Sequence, residues 1–293
     1  MVTVETDRAL DALPDQCGVV GVGRMGAGIA HALLMAGSVV TLVERDGPAA
    51  AAGRDRVARA VAGSAKRGLV ENADGVMDRL AAATGHAGLA GSGLVIEAVP
   101  EDLDLKLVTL RAIEEAVGPG AVIASNTSSI SLDTLAEAFA RPERFLGLHF
   151  FNPVPASRLV EVVIGAATDP ALRDRAIAWV QALGKTAVVV RNAPGFASSR
   201  LGVVLGLEAI RMVESGVATA EDIDTAMTLG YGHPTGPLRL TDMVGLDVRL
   251  GIARYLEREL GSRFAPPDLL VRLVEQGHLG RKTGKGFYDW SAT

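Results

Sequence analysis

A histidine and a glutamate lie on two successive apolar runs near the middle of the chain. His149 ends the first run, and Glu161 lies within the second. If the two runs form neighbouring strands, the carboxylate can orient the imidazole and stabilise its protonated form. Such a pair has the chemistry of a base that removes a proton from an alcohol. Taken alone, it is more typical of a buried structural histidine that is satisfied by an acid.

A glycine-rich turn lies near the start of the chain, between an apolar run over 17–22 and a helical pattern over 27–35. The spacing G-x-G-x-x-G at a strand-to-helix turn lets a pyrophosphate approach the backbone and the positive end of the helix. The residues that we predict to contact a dinucleotide here are Gly21, Gly23, Arg24, Met25 and Gly26.

An acid marks the end of the second predicted strand, which spans 38–43. Glu44 follows Gly26 by 18 residues. A carboxylate at this position accepts hydrogen bonds from ribose hydroxyls and repels a 2′-phosphate, so it favours NAD over NADP. The neighbouring Arg45 is the competing signal, because it could accept that phosphate.

Polar residues also follow the next two predicted strands, over 94–99 and 121–124. The second of these strands ends in the polar run Ser125 to Ser129. The carboxyl ends of parallel strands border the ligand crevice of an open sheet, so these groups are placed to meet a cofactor and a substrate. The alternative is that the hydroxyls only cap the next helix, although Ser131 or Asp133 could do that alone.

Short Val-rich runs alternate with amphipathic helical patterns through the first two thirds of the chain. This alternation predicts an α/β fold with a Rossmann-type, doubly wound and largely parallel sheet, and it leaves the direction of the last strands open. Further strands are predicted at His149, at Glu161 and over 186–190. The helices after the first are predicted over 49–67, 102–117, 133–140 and 169–183.

Strand signals fade beyond the segment Arg191 to Gly195. Helices are predicted there over 196–215, 220–228, 238–260 and 267–276. We therefore expect a mobile leader over 1–16, a Rossmann-type NAD-binding domain over 17–192, and an all-helical C-terminal domain over 193–293. The apolar face of its first helix must be covered, either by its own domain or by another subunit.

Charge and length narrow the class of protein. The chain has 293 residues and a formal net charge of −5, with no broad basic field to meet phosphates. We therefore expect no nucleic-acid partner and no membrane partner. The acidic N-terminus has the wrong charge for a signal peptide.

Cysteine and histidine usage points to a cytoplasmic protein without a metal. Cys17 is the single cysteine, so the chain forms no internal disulfide, which is typical of a reducing compartment. The five histidines lack the spacing of a zinc site.

The helical stretch 49–67 carries several basic residues. Its ordinary interpretation is a solvated face. If the substrate has a phosphorylated handle, Lys66 or Arg67 could pair with it.

The ordered motifs resemble the 3-hydroxyacyl-CoA dehydrogenase family, most closely its short bacterial members known as 3-hydroxybutyryl-CoA dehydrogenases. The likeness covers nearly everything from Gly18 to Trp290. Besides the glycine turn, its marks are Glu97 to Glu101, Ser125 to Ser129, His149 to Pro155, Pro194 to Phe196, Glu221 to Asp224, Gly236 to Leu238 and Lys282 to Tyr288.

The resemblance assigns roles to individual positions. His149 matches the catalytic base of the family, Glu161 the acid that orients it, and Ser128 the hydroxyl that contacts the substrate oxygen. Positions that match the cofactor site, besides the glycine turn, are Glu44, Ala98, Glu101, Lys106, Asn126, Ser128 and Asn152.

One position departs from the family pattern. After Pro-Gly-Phe the family usually has an asparagine before an arginine, and its amide helps to hold the substrate carbonyl. Here Ser199 precedes Arg200. A hydroxyl is shorter but still donates one hydrogen bond, so it could place the substrate differently.

The resemblance implies an NAD-dependent enzyme of fatty acid metabolism that interconverts a (3S)-3-hydroxyacyl-CoA, such as 3-hydroxybutyryl-CoA, and the 3-oxoacyl-CoA. It also implies a homodimer formed through the C-terminal domain. The alternatives are an enzyme for a carrier-linked hydroxyacyl group or a free hydroxy or sugar acid, and a non-catalytic NADH-binding protein.

Overall fold

The computed structural model describes residues 12–291. The chain divides into two compact units, with the division between Asn192 and Ala193. Most of the predicted leader, residues 1–11, lies outside the described residues.

The first unit contains an eight-stranded sheet. Its strands, in chain order, are β1 Gln16–Val20, β2 Val39–Val43, β3 Leu80–Ala83, β4 Leu94–Glu97, β5 Val122–Ser125, β6 Phe145–Phe150, β7 Leu159–Ile164 and β8 Thr186–Arg191. Their order across the sheet is β3-β2-β1-β4-β5-β6-β7-β8. All neighbouring pairs are parallel except β6 and β7, which run antiparallel. The predicted doubly wound, largely parallel sheet is therefore confirmed.

The helices of the first unit connect these strands and cover the sheet. They are α1 Arg24–Met35, α2 Gly47–Lys66, α3 Ala73–Met77, α4 Leu103–Ala116, α5 Leu132–Ala136 and α6 Ala171–Ala182. The central strands β4, β5 and β6 are fully buried, as expected for a parallel sheet with both faces covered. Helix α1 is buried along most of its length, because small residues let it pack closely on the sheet.

Two details of this unit differ from the sequence prediction. Strand β3 was not predicted, because its sequence Leu-Ala-Ala-Ala has little β propensity and only Leu80 is buried. The helix predicted over 133–140 ends at Ala136 instead. The Ser131 side chain accepts a hydrogen bond from the Thr134 N–H and caps this short helix, which is the role considered for it from the sequence.

The second unit is mainly helical. Its helices are α7 Ser198–Glu214, α8 Ala220–Tyr231, α9 Pro237–Val244, α10 Leu246–Leu260 and α11 Asp268–Glu275. The single helix predicted over 238–260 is wrong, because Gly245 has a φ of 106° and separates α9 from α10. An apolar core of Val203, Leu207, Ile210, Leu238, Leu250 and Leu256 joins the helices.

Two buried carboxylates organise the C-terminal part of this unit. Asp224 of α8 accepts hydrogen bonds from the Leu238 and Arg239 N–H groups, so it caps the start of α9. Asp242 of α9 accepts hydrogen bonds from the Phe287 N–H (3.0 Å), the Tyr288 N–H (2.9 Å) and the Trp290 indole N–H (2.8 Å). The final segment of the chain is therefore fastened to α9 by one carboxylate.

Among the described residues, no helix is both long enough and apolar enough to cross a membrane.

We predict that Asp242→Ala destabilises the protein by roughly 3 kcal/mol, because it leaves buried donors without an acceptor. Urea unfolding followed by tryptophan fluorescence would measure the change. Asp289→Ala is the matched control, since Asp289 is exposed and, within residues 12–291, its side chain accepts hydrogen bonds only from the nearby Ser291. Equal stability of the two variants would contradict the proposed role of Asp242.

Candidate active site

The antiparallel pairing of β6 and β7 places His149 directly opposite Glu161. His149 Nδ1 and Glu161 Oε2 are 2.8 Å apart, and both residues are buried. An ionised carboxylate only accepts hydrogen bonds, so with Glu161 in that form the shared hydrogen belongs to Nδ1 of His149. The pair expected from the sequence is thus formed by strand register.

The glycine turn follows β1 and closes tightly on itself. Gly21 has a φ of 84°, and a Cβ on Gly26 would lie 2.0 Å from the Gly21 carbonyl oxygen, so neither position tolerates a side chain. A Cβ on Gly23 would meet nothing within 4 Å. Helix α1 begins there without a capping side chain. Open backbone at a helix N-terminus is a place for an anion, so the turn fits a dinucleotide pyrophosphate.

Glu44 lies just after β2 and turns back toward the glycine turn. Its Oε1 accepts a hydrogen bond from the Val22 N–H, and Oε2 accepts one from the Arg45 N–H at 3.3 Å. The carboxylate is therefore anchored beside the turn at the end of β2, where it can meet the ribose hydroxyls of NAD. The Arg45 side chain is 85% exposed and pairs with Asp46.

A buried ion pair joins the ends of β4 and β5 to α4. Glu97 and Lys106 have side chains that are 0% and 1% exposed, and Lys106 Nζ lies 2.7 Å from Glu97 Oε1. Glu97 Oε1 also accepts the Val99 N–H at 2.7 Å, while Oε2 accepts the Ser125 hydroxyl at 2.6 Å. Every charge in this cluster is thus compensated, which a buried ion pair requires.

Glu101 extends this network to the polar run after β5. Its Oε1 accepts hydrogen bonds from the Thr127 hydroxyl (2.7 Å) and from the N–H groups of Ser128 (2.9 Å) and Ser129 (3.0 Å). Burial opposes ionisation of this carboxyl, but Lys106 and these donors offset it, so the pKa of Glu101 is lowered. At neutral pH, Glu101 is a carboxylate that holds Ser128 in place.

The remaining predicted cofactor positions lie on the same edge of the sheet. The Ala98 N–H donates a hydrogen bond to the Val20 carbonyl and so continues the pairing of β4 with β1 by one residue. Asn126 accepts a hydrogen bond from the Phe150 N–H at 2.8 Å and ties the end of β5 to β6. Asn152 follows β6, is exposed, and precedes a cis proline.

A cavity of about 370 Å³ lies between α1, α2 and the loop after β6. Its lining includes Arg24 and two further arginines, Arg56 and Arg59. Lys66 and Arg67, which the sequence suggested for a phosphorylated handle, are exposed at the end of α2 and do not line this cavity. The cations that the fold gathers there come from two different helices.

Ser199 lies in the second unit, in the first turn of α7. The chain enters this helix through Gly195 (φ 72°) and Phe196 (φ 49°). Among residues 12–291, Phe196 is the non-glycine residue with positive φ, a conformation that costs a bulky side chain about 1–2 kcal/mol. The turn that presents Ser199 is therefore a strained one.

Glu97 and Thr127 are site residues that the sequence motifs do not single out. An acid at the end of the apolar run Leu94 to Glu97 was the available signal, because a carboxylate on a buried strand needs a partner. Its partner, Lys106, lies in α4, the helix that follows β4, and only the fold brings the two side chains together.

Comparison with known proteins agrees with this geometry. A family model described as 3-hydroxyacyl-CoA dehydrogenase, NAD binding domain, matches residues 16–193, and the C-terminal domain model of the same family matches residues 195–290. A 3-hydroxybutyryl-CoA dehydrogenase of Mycobacterium tuberculosis is 43% identical over 278 residues, which cover 93% of this chain and 97% of the relative.

Two further proteins extend the comparison. The crystal structure of (S)-3-hydroxybutyryl-CoA dehydrogenase from Ralstonia eutropha aligns with a TM-score of 0.91 at 38% identity, covering 95% of this chain and 99% of that one. The mitochondrial hydroxyacyl-coenzyme A dehydrogenase of Sus scrofa is 37% identical, covering 93% of this chain and 90% of its own.

Fold and site together define an NAD-dependent oxidoreductase with a Rossmann-type domain. The chain belongs to the 3-hydroxyacyl-CoA dehydrogenase family. The resemblance, the fold class and the cofactor expected from the sequence are thereby confirmed.

We predict that Glu44→Gln lowers kcat/KM for NADH about tenfold and raises it for NADPH. The variant loses a charged hydrogen bond to the ribose and no longer repels the 2′-phosphate, which the exposed Arg45 can then meet. The measurement is the ratio of the two kcat/KM values in the variant and in the original enzyme. An unchanged ratio would remove Glu44 from cofactor selection.

Proposed function

We propose that the protein interconverts a (3S)-3-hydroxyacyl-CoA and the corresponding 3-oxoacyl-CoA, with short chains such as 3-hydroxybutyryl-CoA as the natural size. The observation that carries this proposal is the buried pair of His149 and Glu161, 2.8 Å apart, at the edge of the sheet that bears the dinucleotide turn. The names of the relatives support the same substrate class.

In this proposal, His149 is the general base. Its Nε2 takes the proton of the substrate hydroxyl, while its Nδ1–H continues to donate a hydrogen bond to Glu161. The carboxylate stabilises the imidazolium that forms. Bound NAD supplies the chemistry of hydride acceptance at the carbon that carries this hydroxyl. In the opposite direction the His149 imidazolium returns the proton to the oxygen.

Ser128 and Ser199 are assigned to the substrate oxygen as it becomes a carbonyl. The support for Ser128 is its anchored position, since Glu101 accepts its backbone N–H and fixes the loop. The support for Ser199 is its place in the first turn of α7, where a hydroxyl meets the positive end of a helix. Pre-positioned donors of this kind stabilise developing charge without reorganisation.

The cavity lined by Arg24, Arg56 and Arg59 supports a phosphorylated carrier such as CoA. Guanidinium groups bind phosphate oxygens in a planar, two-pronged geometry, and three of them border one space. We assign Lys66 and Arg67, which are exposed cations at the end of α2, to the outer part of the same phosphorylated carrier.

A homodimer through the second unit and a cytoplasmic location complete the proposal. Large apolar side chains remain exposed on the helices of this unit, among them Leu201 (67%), Leu229 (82%) and Tyr231 (79%). A second copy would remove them from water. The single, buried Cys17 fits a reducing compartment.

Ser199 favours one alternative, an enzyme for a carrier-linked hydroxyacyl group or for a free hydroxy or sugar acid. Its hydroxyl is shorter than the usual amide, so the carbonyl could be held differently. Relative rates on CoA thioesters, carrier-linked thioesters and free acids would distinguish the substrates.

NADH oxidation with acetoacetyl-CoA is the direct test of the main proposal, and a lack of turnover would reject it.

We predict that His149→Ala lowers turnover about 10²- to 10⁴-fold while NADH still binds, because a positioned acid–base group contributes that much. Steady-state NADH oxidation and NADH fluorescence titration measure the two effects. Full activity in the variant would exclude His149 as the base.

Glu161→Gln provides the second arm of this test. It should slow the chemical step and change the pH profile of kcat/KM, since the imidazolium loses its counter-charge. If the profile and the rate stay as in the original enzyme, Glu161 has no part in orienting or stabilising His149.

Ser199→Asn restores the residue usual in the family. We expect kcat/KM for acetoacetyl-CoA to change by a few-fold or more relative to other 3-oxoacyl chains, because the longer amide shifts the carbonyl. A panel of chain lengths assayed with both proteins measures this. Identical preferences would mean that the serine is a neutral replacement.

A further inference from the structure

The second unit contains a buried cation that the proposed mechanism does not use. Arg249 lies on α10 and keeps only 8% of its surface exposed. Its Nε is buried without a hydrogen-bond partner, and within residues 12–291 no ion pair reaches its guanidinium. Burial lowers the pKa of Arg249 to about 10, so the group remains charged at neutral pH.

The acids of the same unit do not compensate this charge. Asp247, two residues earlier on α10, is paired with Lys282 at 2.5 Å. The buried acids Asp224 and Asp242 accept hydrogen bonds from the start of α9 and from the C-terminal segment. A buried charge without a partner lowers the stability of the folded protein, because it has lost its hydration and gained no counter-charge. An anion from outside the unit would compensate this charge.

The guanidinium rests against α7 one turn beyond Ser199. A Cβ on Gly202 would lie 3.3 Å from Arg249 Nη1 and 3.9 Å from Nη2, so the missing side chain leaves room for the two terminal nitrogens. Positions i and i+3 are neighbours on a helix surface, about 5–6 Å apart at Cβ. The Arg249 guanidinium, which comes from α10, therefore lies at the face of α7 that carries Ser199.

The chemistry of the anion follows from this position. A guanidinium fork matches a carboxylate or a phosphate. In the proposed function the phosphates of the carrier belong to the arginine cavity of the first unit, and the dinucleotide pyrophosphate to the glycine turn. The group left for the face beside Ser199 is an anion on the acyl chain itself.

We propose that Arg249 is a specificity-determining residue that binds a terminal carboxylate on a short acyl chain, so that the preferred substrate is an ω-carboxylated 3-hydroxyacyl-CoA. The inference rests on the proposed function, because it takes Ser199 as a contact to the substrate carbonyl. It also gives the departure at Ser199 a reason, since a hydroxyl takes up less space along α7 than an amide and leaves room for the terminal carboxylate.

Binding of two unreactive thioesters tests this proposal. Adipyl-CoA and hexanoyl-CoA have the same chain length and differ in one terminal carboxylate, and neither has a hydroxyl to oxidise. With the NAD-saturated protein, isothermal titration should give a Kd at least about tenfold lower for adipyl-CoA, as expected for a charged, two-pronged hydrogen bond. In Arg249→Met the difference should vanish, with hexanoyl-CoA binding unchanged.

Two variants control for structural effects. Arg254→Met removes an exposed arginine of the same helix and should keep the tenfold preference. Arg249→Lys retains the charge without the fork and should keep a reduced preference. Arg249→Met should melt no lower than the original protein, since it removes an uncompensated charge.

The outcomes are distinct. Equal affinity of the original protein for both thioesters, with acetoacetyl-CoA turnover intact, would overturn the role of Arg249 and leave the proposed function standing. A change of Arg249→Met to monomers in sedimentation would assign the charge to a carboxylate of a second copy and would also overturn the role. Binding of neither thioester, with acetoacetyl-CoA turnover intact, would likewise overturn the role of Arg249, whereas absence of that turnover would reject the proposed function together with this inference.

Discussion

The carboxyl edge of the sheet depends on one buried charge pair, Glu97 with Lys106. Its two side chains are almost fully buried at the end of β4 and on α4, and the Ser125 hydroxyl adds β5 to the same cluster. A buried pair stabilises little by itself, but removal of one member typically costs about 3–5 kcal/mol. The loops after β4 and β5, which hold Glu101 and Ser128, can therefore be rigid because the charges beneath them are compensated.

A second constraint is the single antiparallel step in the sheet. Were β7 parallel to β6, the strands would need a long crossover, and the side chains would meet in another register. The reversal places His149 opposite Glu161 within two strands that are buried on both faces. A shift of one residue in this register would turn Glu161 to the other face of the sheet, so the contact between His149 and Glu161 depends on the hydrogen bonds that pair the two strands.

The second unit uses carboxylates in a different way. Asp224 and Asp242 are buried as acceptors of backbone and ring N–H groups, and they fasten separate segments to α9. Arg249 lies in the same unit without such compensation. Where buried acids are satisfied by the chain itself and a buried cation is not, the cation is the group that can still meet a ligand.

The sequence by itself was enough for the fold class and the dinucleotide turn, because these follow from local patterns, and it also placed His149 and Glu161 on successive apolar runs. Strand, glycine turn and helix are adjacent in the chain, so their order can be recognised without the fold. It was not enough for β3, because alanine has little β propensity. It was also not enough for the break at Gly245, because a glycine within a helical pattern can adopt either a helical or a positive φ.

Only the tertiary structure decided which distant charges meet. Lys106 pairs with Glu97 across a loop and a helical turn, and Arg24 joins Arg56 and Arg59 from another helix. Arg249 reads in the sequence as one more basic residue of an amphipathic helix. Its lack of a partner is a property of three-dimensional packing, since burial and compensation of a charge depend on neighbours that no local pattern specifies.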